Sequence, residues 1–148
     1  MFAGHVMLWL LDTNHIALIL RQDSTASDNL AQHLGQTAVS VITAQEVCNG
    51  WLGLLNQKHQ KRQQMLHRYH QFWLAIELFK TMPILEFNDR AYDRYVQLIT
   101  DNPALRKQAL QRDMRIAATA LTQNSTVVTR SRKDFGLVPG LEIEDWSI

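Results

Sequence analysis

Four carboxylates stand where this sequence could most readily build chemistry. Asp12 closes the apolar run LWLL and is followed by Thr13 and Asn14, two side chains able to hydrogen-bond it. Glu46 follows the β-branched stretch TAVSVI, and Asp134 follows STVVT by five residues in TRSRKDF. Asp113 lies in LQRDMRIAATAL, where helical spacing aligns it with Ile116, Ala117 and Ala120. Singly, each has a plainer reading: a cap, a capping-box glutamate, a turn acid paired with Lys133, or a helix-start acid paired with Arg112 or Arg115. The combination says more. Three acids lie just past strand ends, and the fourth heads a stripe that must face the sheet. Carboxylates that converge without obligatory partners repel one another, and a divalent cation relieves the repulsion. Oxygen-only ligands suit Mg²⁺ or Mn²⁺, and such a site favours metal-assisted phosphoester hydrolysis.

The elements that must position these acids alternate between strand and helix. LWLL reads as a buried strand ending at Asp12, and His15–Leu20 as a first helix capped by Thr13 or Asn14. Ser24–Gly35 holds a second short helix, and Thr37–Ile42 a second strand. Thr43 and Glu46 have capping-box spacing at the head of the next helix. Apolar residues at three- and four-residue steps predict a long helix over Lys58–Phe79, closed by Pro83. Ile84–Phe87 reads as a third strand, followed by a helix capped by Asn88 or Asp89 and running to Ile99. Pro103 opens a helical stretch to about Gln123, Ser125–Thr129 is a fourth strand, and LEIEDW an edge strand. The fold class is a three-layer α/β domain with a mainly parallel sheet flanked by helices, whose strand C-termini form the ligand-binding rim.

At 148 residues, 46% hydrophobic and 20% charged, the chain has the make-up of one globular domain. Residues 1–6 are expected to be a poorly ordered extension, and 7–148 a single domain. No apolar run reaches the ~20 residues that span a bilayer, and the first residues lack the pattern of an export signal, so a cytoplasmic protein with no membrane association is expected. The single cysteine, Cys48, excludes an internal disulfide and reads as a buried structural thiol. A net charge of +1 leaves nucleic-acid binding to local patches.

LLDTN, the S-x-x-T-x-x-E of Ser40, Thr43 and Glu46, DMRIAATAL and VVTRSRKDF together resemble, in order, the four motifs of PIN-domain ribonucleases of the VapC toxin type. The resemblance runs from Leu8 to the closing EDW. It implies a PIN-like fold and an endoribonuclease that hydrolyses RNA with metal-activated water. Asp12, Glu46 and Asp113 correspond to the core metal-binding acids, and Thr13, Asn14, Ser40 and Thr129 to the polar shell around them. Asp134 matches the acid of the DF pair and serves as the fourth carboxylate. Ser131 departs from the family's usual asparagine or aspartate; a serine there can still hold a metal-bound water. The family also implies a homodimer and a small antitoxin protein as partner.

Arg130, Arg132 and Lys133 crowd the loop beside the acids, where they are either a solvated turn or contacts to RNA phosphates. A second basic cluster, Lys58, Lys61, Arg62 and Arg68 with His59, His67 and His70, is a solvent-facing helix start, a path for RNA or a contact for an acidic partner. His67 and His70 lack further ligands for zinc. Two rival functions stay open: a PIN-fold RNA- or protein-binding module with weakened catalysis, motivated by Ser131, and a nuclease of the same chemistry acting on DNA.

Overall fold

The computed structural model describes residues 7–148, so the expected extension over 1–6 lies outside the described residues. Five parallel strands form one sheet in the order β3-β2-β1-β4-β5. They are β1 (Trp9–Leu11), β2 (Thr37–Ser40), β3 (Ile84–Leu85), β4 (Thr126–Val128) and β5 (Ile143–Glu144). Because every strand runs the same way, every C-terminal end opens on one rim. The chain winds outward from β1 to β3 on one side and resumes with β4 on the other. The reversal falls between β1 and β4, and in open parallel sheets that is where ligands enter.

Side chains alternate across a strand, and here each short strand supplies both faces. Leu10, Ala38 and Val127 enter one core with Met114, Ile116, Ala117, Ala120 and Phe135. Leu11, Val39 and Val128 enter the other with Ile16, Val47, Phe79 and Trp146. The first core lies under α5 (Asp89–Asp101) and α6 (Gln111–Thr122); the second lies under α1 (Thr13–Leu20), α3 (Val41–Leu55) and α4 (Arg62–Phe79). The three expected layers are thus present, and the sheet is wholly parallel. A short α2 (Ser24–Gln32) links α1 to β2, and α7 (Arg132–Phe135) follows β4. Among the described residues no helix is long and apolar enough to cross a membrane.

Several boundaries differ from the sequence reading, each for a local reason. Asp12 itself caps α1, accepting the His15 N–H, so Thr13 and Asn14 lie inside the helix. Ser40 caps α3 by accepting the Ile42 N–H, which ends β2 two residues early and puts Thr43 inside the helix. The capping box of Thr43 and Glu46 is therefore not formed. The long helix starts at Arg62, and β3 keeps only Ile84–Leu85. The stretch from Pro103 begins with two 3₁₀ turns, Pro103–Arg106 and Gln108–Leu110, before α6 starts at Gln111. Cys48 is half-buried, on the flank of α3 instead of in its core.

Candidate active site at the strand-end rim

Asp12 leaves β1 with its backbone N–H donated to the Val128 carbonyl at 3.0 Å, so the ends of β1 and β4 are tied where the sheet reverses. Its side chain is buried, and Oδ1 accepts the His15 N–H at 2.9 Å. Glu46 stands on the second turn of α3. The Thr13 hydroxyl donates to its Oε1 at 3.0 Å, and Arg112 lies 3.7 Å from Oε2. Asp113 sits in the first turn of α6, and Ile116, Ala117 and Ala120 are buried below it as the helical spacing predicts. It shares a cavity of about 450 Å³ with Glu46, Gln108, Gln111 and Arg112. Asp134, on α7, accepts the Ser131 hydroxyl at 3.2 Å.

The plainer readings of these acids fare unevenly. Asp113 makes no ion pair or hydrogen bond with the described residues: Arg112 turns to Glu46, and the Arg115 guanidinium lies over the Tyr95 ring, 5.5 Å from its centroid. Burial, with the fields of Glu46, Asp134 and Asp12, pushes the Asp113 carboxyl up to about 6. Like charges brought near one another disfavour ionisation, so Glu46, Asp134 and Asp12 all act on the Asp113 carboxyl. As they stand, no three His, Cys, Asp or Glu side chains among the described residues are gathered tightly enough to enclose an ion.

The polar residues around the acids divide. Thr13 orients Glu46, Ser131 holds Asp134, and Thr129 accepts the Ser131 N–H at 2.8 Å, which fixes the turn after β4. Ser40 is spent on capping α3, whose axis aims Glu46. Asn14 is exposed and makes no side-chain hydrogen bond with the described residues. The buried Thr43 hydroxyl, one turn before Glu46, has no hydrogen-bond partner among the described residues. Arg130, Arg132 and Lys133 form no salt bridge with the described residues; Arg130, Arg132 and Lys133 lie in the turn that leaves β4 and in α7.

Three contributors escape the sequence reading. Arg112 is paired with Glu46 and not with its neighbour Asp113. His15 is completely buried with Nδ1 3.2 Å from Asp12 Oδ1; the one available signal is its i+3 spacing from the cap. The C-terminal Asp145 approaches the other side of that ring at 3.4 Å. Burial works to raise the Asp145 carboxyl, but hydrogen bonds from the Ser147 hydroxyl and N–H, with Arg130 nearby, hold it below the usual range.

A groove of about 440 Å³ opens beside the acids. Ile16, Leu20, Val47, Trp51 and Leu54 line it, with Thr13 and Glu46 also on its wall.

Comparison with known proteins agrees with this fold. The PIN domain family model matches residues 9–139. The chain is 24% identical over 143 residues to "Ribonuclease VapC2" of Rickettsia felis, covering 95% of this chain and 98% of that protein. Among solved structures it is similar to a chain of DNA-bound VapBC from Salmonella typhimurium, with a TM-score of 0.75, 19% identity, and coverage of 95% and 98% of the two chains. It is also similar to VapBC-1 from nontypeable Haemophilus influenzae, with a TM-score of 0.75, 21% identity, and coverage of 96% and 100%.

Proposed function

The chain belongs to the PIN-domain family, and from that premise we propose that it is a Mg²⁺- or Mn²⁺-dependent endoribonuclease, the toxin of a toxin–antitoxin pair. The observation that carries the reading is Asp113, a carboxylate without a cation partner among the described residues, held up to about 6 by burial and by three neighbouring acids. The donor set fits a hard divalent cation in chemistry, being oxygen throughout. When bound, such an ion activates water and offsets the charge that builds on the phosphate.

The chain's own residues do the remaining work. Asp12, Glu46, Asp113 and Asp134 are the residues that would hold the ion. The Thr13 hydroxyl keeps Glu46 turned toward the rim, and the Ser131 hydroxyl keeps Asp134 there. A serine at position 131 thus has a defined task, which weighs against weakened catalysis. Arg130, Arg132 and Lys133, beside the site, engage the phosphates on either side of the scissile bond and position the strand without reading its sequence.

The relatives named VapBC support an antitoxin as partner, and the apolar groove between α1 and α3 suits a segment of it, ending beside Thr13 and Glu46. Met65, Tyr69 and Trp73, exposed at four-residue steps on α4, support a further protein contact, assigned in this reading to a homodimer. In this reading the protein acts on RNA in the cytoplasm.

Incubation with matched RNA and DNA oligonucleotides, in Mg²⁺, Mn²⁺ or EDTA and beside an Asp12→Asn variant, tests the reading. RNA should be cut only with the cation, leaving 5′-phosphate ends, and the variant should be slower by about 10² or more. Tight RNA binding without cleavage would favour a binding module. Preferential cutting of DNA would contradict the substrate assignment.

A further inference from the structure

Both ring nitrogens of the buried His15 are engaged. The Trp146 backbone N–H donates to Nε2 at 3.2 Å. A backbone N–H can only donate, so Nε2 offers its lone pair and the ring proton belongs on Nδ1, where its acceptor is Asp12 Oδ1 at 3.2 Å. Asp145 Oδ1 also lies 3.4 Å from Nε2, but that oxygen already accepts the Ser147 N–H at 2.8 Å and the Ser147 hydroxyl at 2.6 Å.

Two donors of His15, its backbone N–H and Nδ1–H, therefore converge on one oxygen of Asp12. No described residue donates to Oδ2. With one oxygen held twice and the other left over, the carboxylate plane is fixed and Oδ2 is the atom available at the rim. The anchor on the far side is itself well seated. Glu144 accepts the indole N–H groups of Trp9 and Trp146 at 2.9 and 3.1 Å, and the His33 ring lies between the two indoles, with centroids 4.6 and 4.5 Å away. The Asn29 side chain donates to the Trp146 carbonyl at 3.0 Å. The exit of β5 is thereby locked, and the Trp146 N–H is presented to His15.

We infer that His15 is a positioning residue for the cation site: it pins Asp12 Oδ1, reserves Oδ2 for the ion, and is held in turn by the C-terminal segment around Trp146. The inference rests on the metal-dependent reading above. Removing such an outer partner of a ligand commonly lowers metal affinity about 10- to 100-fold.

Two substitutions separate positioning from packing. In His15→Asn the amide nitrogen takes the place of Nδ1 and keeps the side-chain bond to Asp12; in His15→Gln the longer side chain reaches toward Trp146 and leaves Asp12 Oδ1 with the backbone N–H alone. Mn²⁺ affinity is measured by calorimetry on protein shown to be folded by circular dichroism, with urea midpoints recorded alongside. His15→Gln should bind Mn²⁺ about 10-fold or more weakly, and His15→Asn within about 3-fold of the wild type. Equal affinity of His15→Gln and wild type, or an equal loss in both variants, would overturn the inference while leaving the metal-dependent reading intact. A wild type that binds no Mn²⁺ would sink that reading and this inference with it. A second measurement needs no variant: long-range ¹H–¹⁵N spectra of the wild-type His15 ring should show the proton on Nδ1 and a bare Nε2. A proton on Nε2 alone would overturn the assignment.

Discussion

Replacing Asp113 by asparagine should stabilise the cation-free protein and abolish its response to the cation. The folded carboxyl is raised from 3.8 to about 6 by burial and by Glu46, Asp134 and Asp12, so the folded state binds more protons than the unfolded state between those values. Stability of the wild type therefore falls as pH rises from about 4 to about 6, and the loss is complete above that window. At about 1.4 kcal/mol per pH unit the gap is worth about 3 kcal/mol without screening. Asp113 is only half-buried at an open rim, and screening reduces this to about 1–2 kcal/mol. The carboxylate also lies in the first turn of α6, where the helix dipole favours its charge by about 0.3–1 kcal/mol. A net gain of about 1 kcal/mol remains for Asp113→Asn at pH 7.5, or about 2–4 °C in Tm for a chain of this size. Thermal melts in EDTA at pH 7.5 and 4.5 measure it, and the difference between the two proteins should shrink toward zero at the lower pH. Saturating Mn²⁺ should then invert the order: at 100 times Kd it stabilises the wild type by about 2.7 kcal/mol and the variant hardly at all. A variant less stable than wild type at pH 7.5 in EDTA, or a gain independent of pH, would refute the electrostatic argument.

Three further perturbations test individual side chains. Thr13→Ala removes the hydroxyl on Glu46, and should lower RNA cleavage about 10-fold while changing the unfolding free energy from urea denaturation by no more than about 1 kcal/mol, since one partly exposed hydrogen bond goes with it. Trp146→Ala empties a buried site in the second core and leaves Glu144 Oε1 without its indole donor, and should cost about 3–5 kcal/mol by urea denaturation; a cost below about 1 kcal/mol would show that the C-terminal segment is not seated as described. Changing Arg132 and Lys133 to alanine should weaken RNA binding for all sequences alike and flatten the salt dependence by about 1 in slope for each phosphate no longer neutralised, measured by fluorescence anisotropy across a salt series; an unchanged slope would return the pair to the solvated-turn reading.

The layers were legible because apolar runs ending in polar residues mark buried strands whatever surrounds them, and because Ile116, Ala117 and Ala120 place Asp113 by helical period alone. Cap positions were less so. Ser40 and Thr43 are both sound caps with helix formers behind them, and the choice is made by the sheet, where Val39 and Ser40 pair with Ile84 and Leu85. The 3₁₀ turns before α6 carry no glycine, and after Pro103 their residues are compatible with an α-helix, so periodicity could not reveal them. The acids of the candidate site could be named from strand ends and a helix stripe, but not their bonding. Glu46 meets Thr13 across 33 residues and His15 meets Trp146 across 131, distances at which neither spacing nor propensity carries information. Arg112 illustrates the same limit: its charge is obvious in the sequence, its direction is not.

The central claim is that a divalent cation joins acids drawn from the end of β1 and from α3, α6 and α7. Anomalous diffraction from crystals soaked in Mn²⁺ tests this most directly. A peak is expected at the rim between β1 and β4, within direct coordinating distance of Asp12 Oδ2 and of Asp113 or Glu46. A soaked crystal with no peak there, or with its strongest peak at His67 and His70, would contradict the claim.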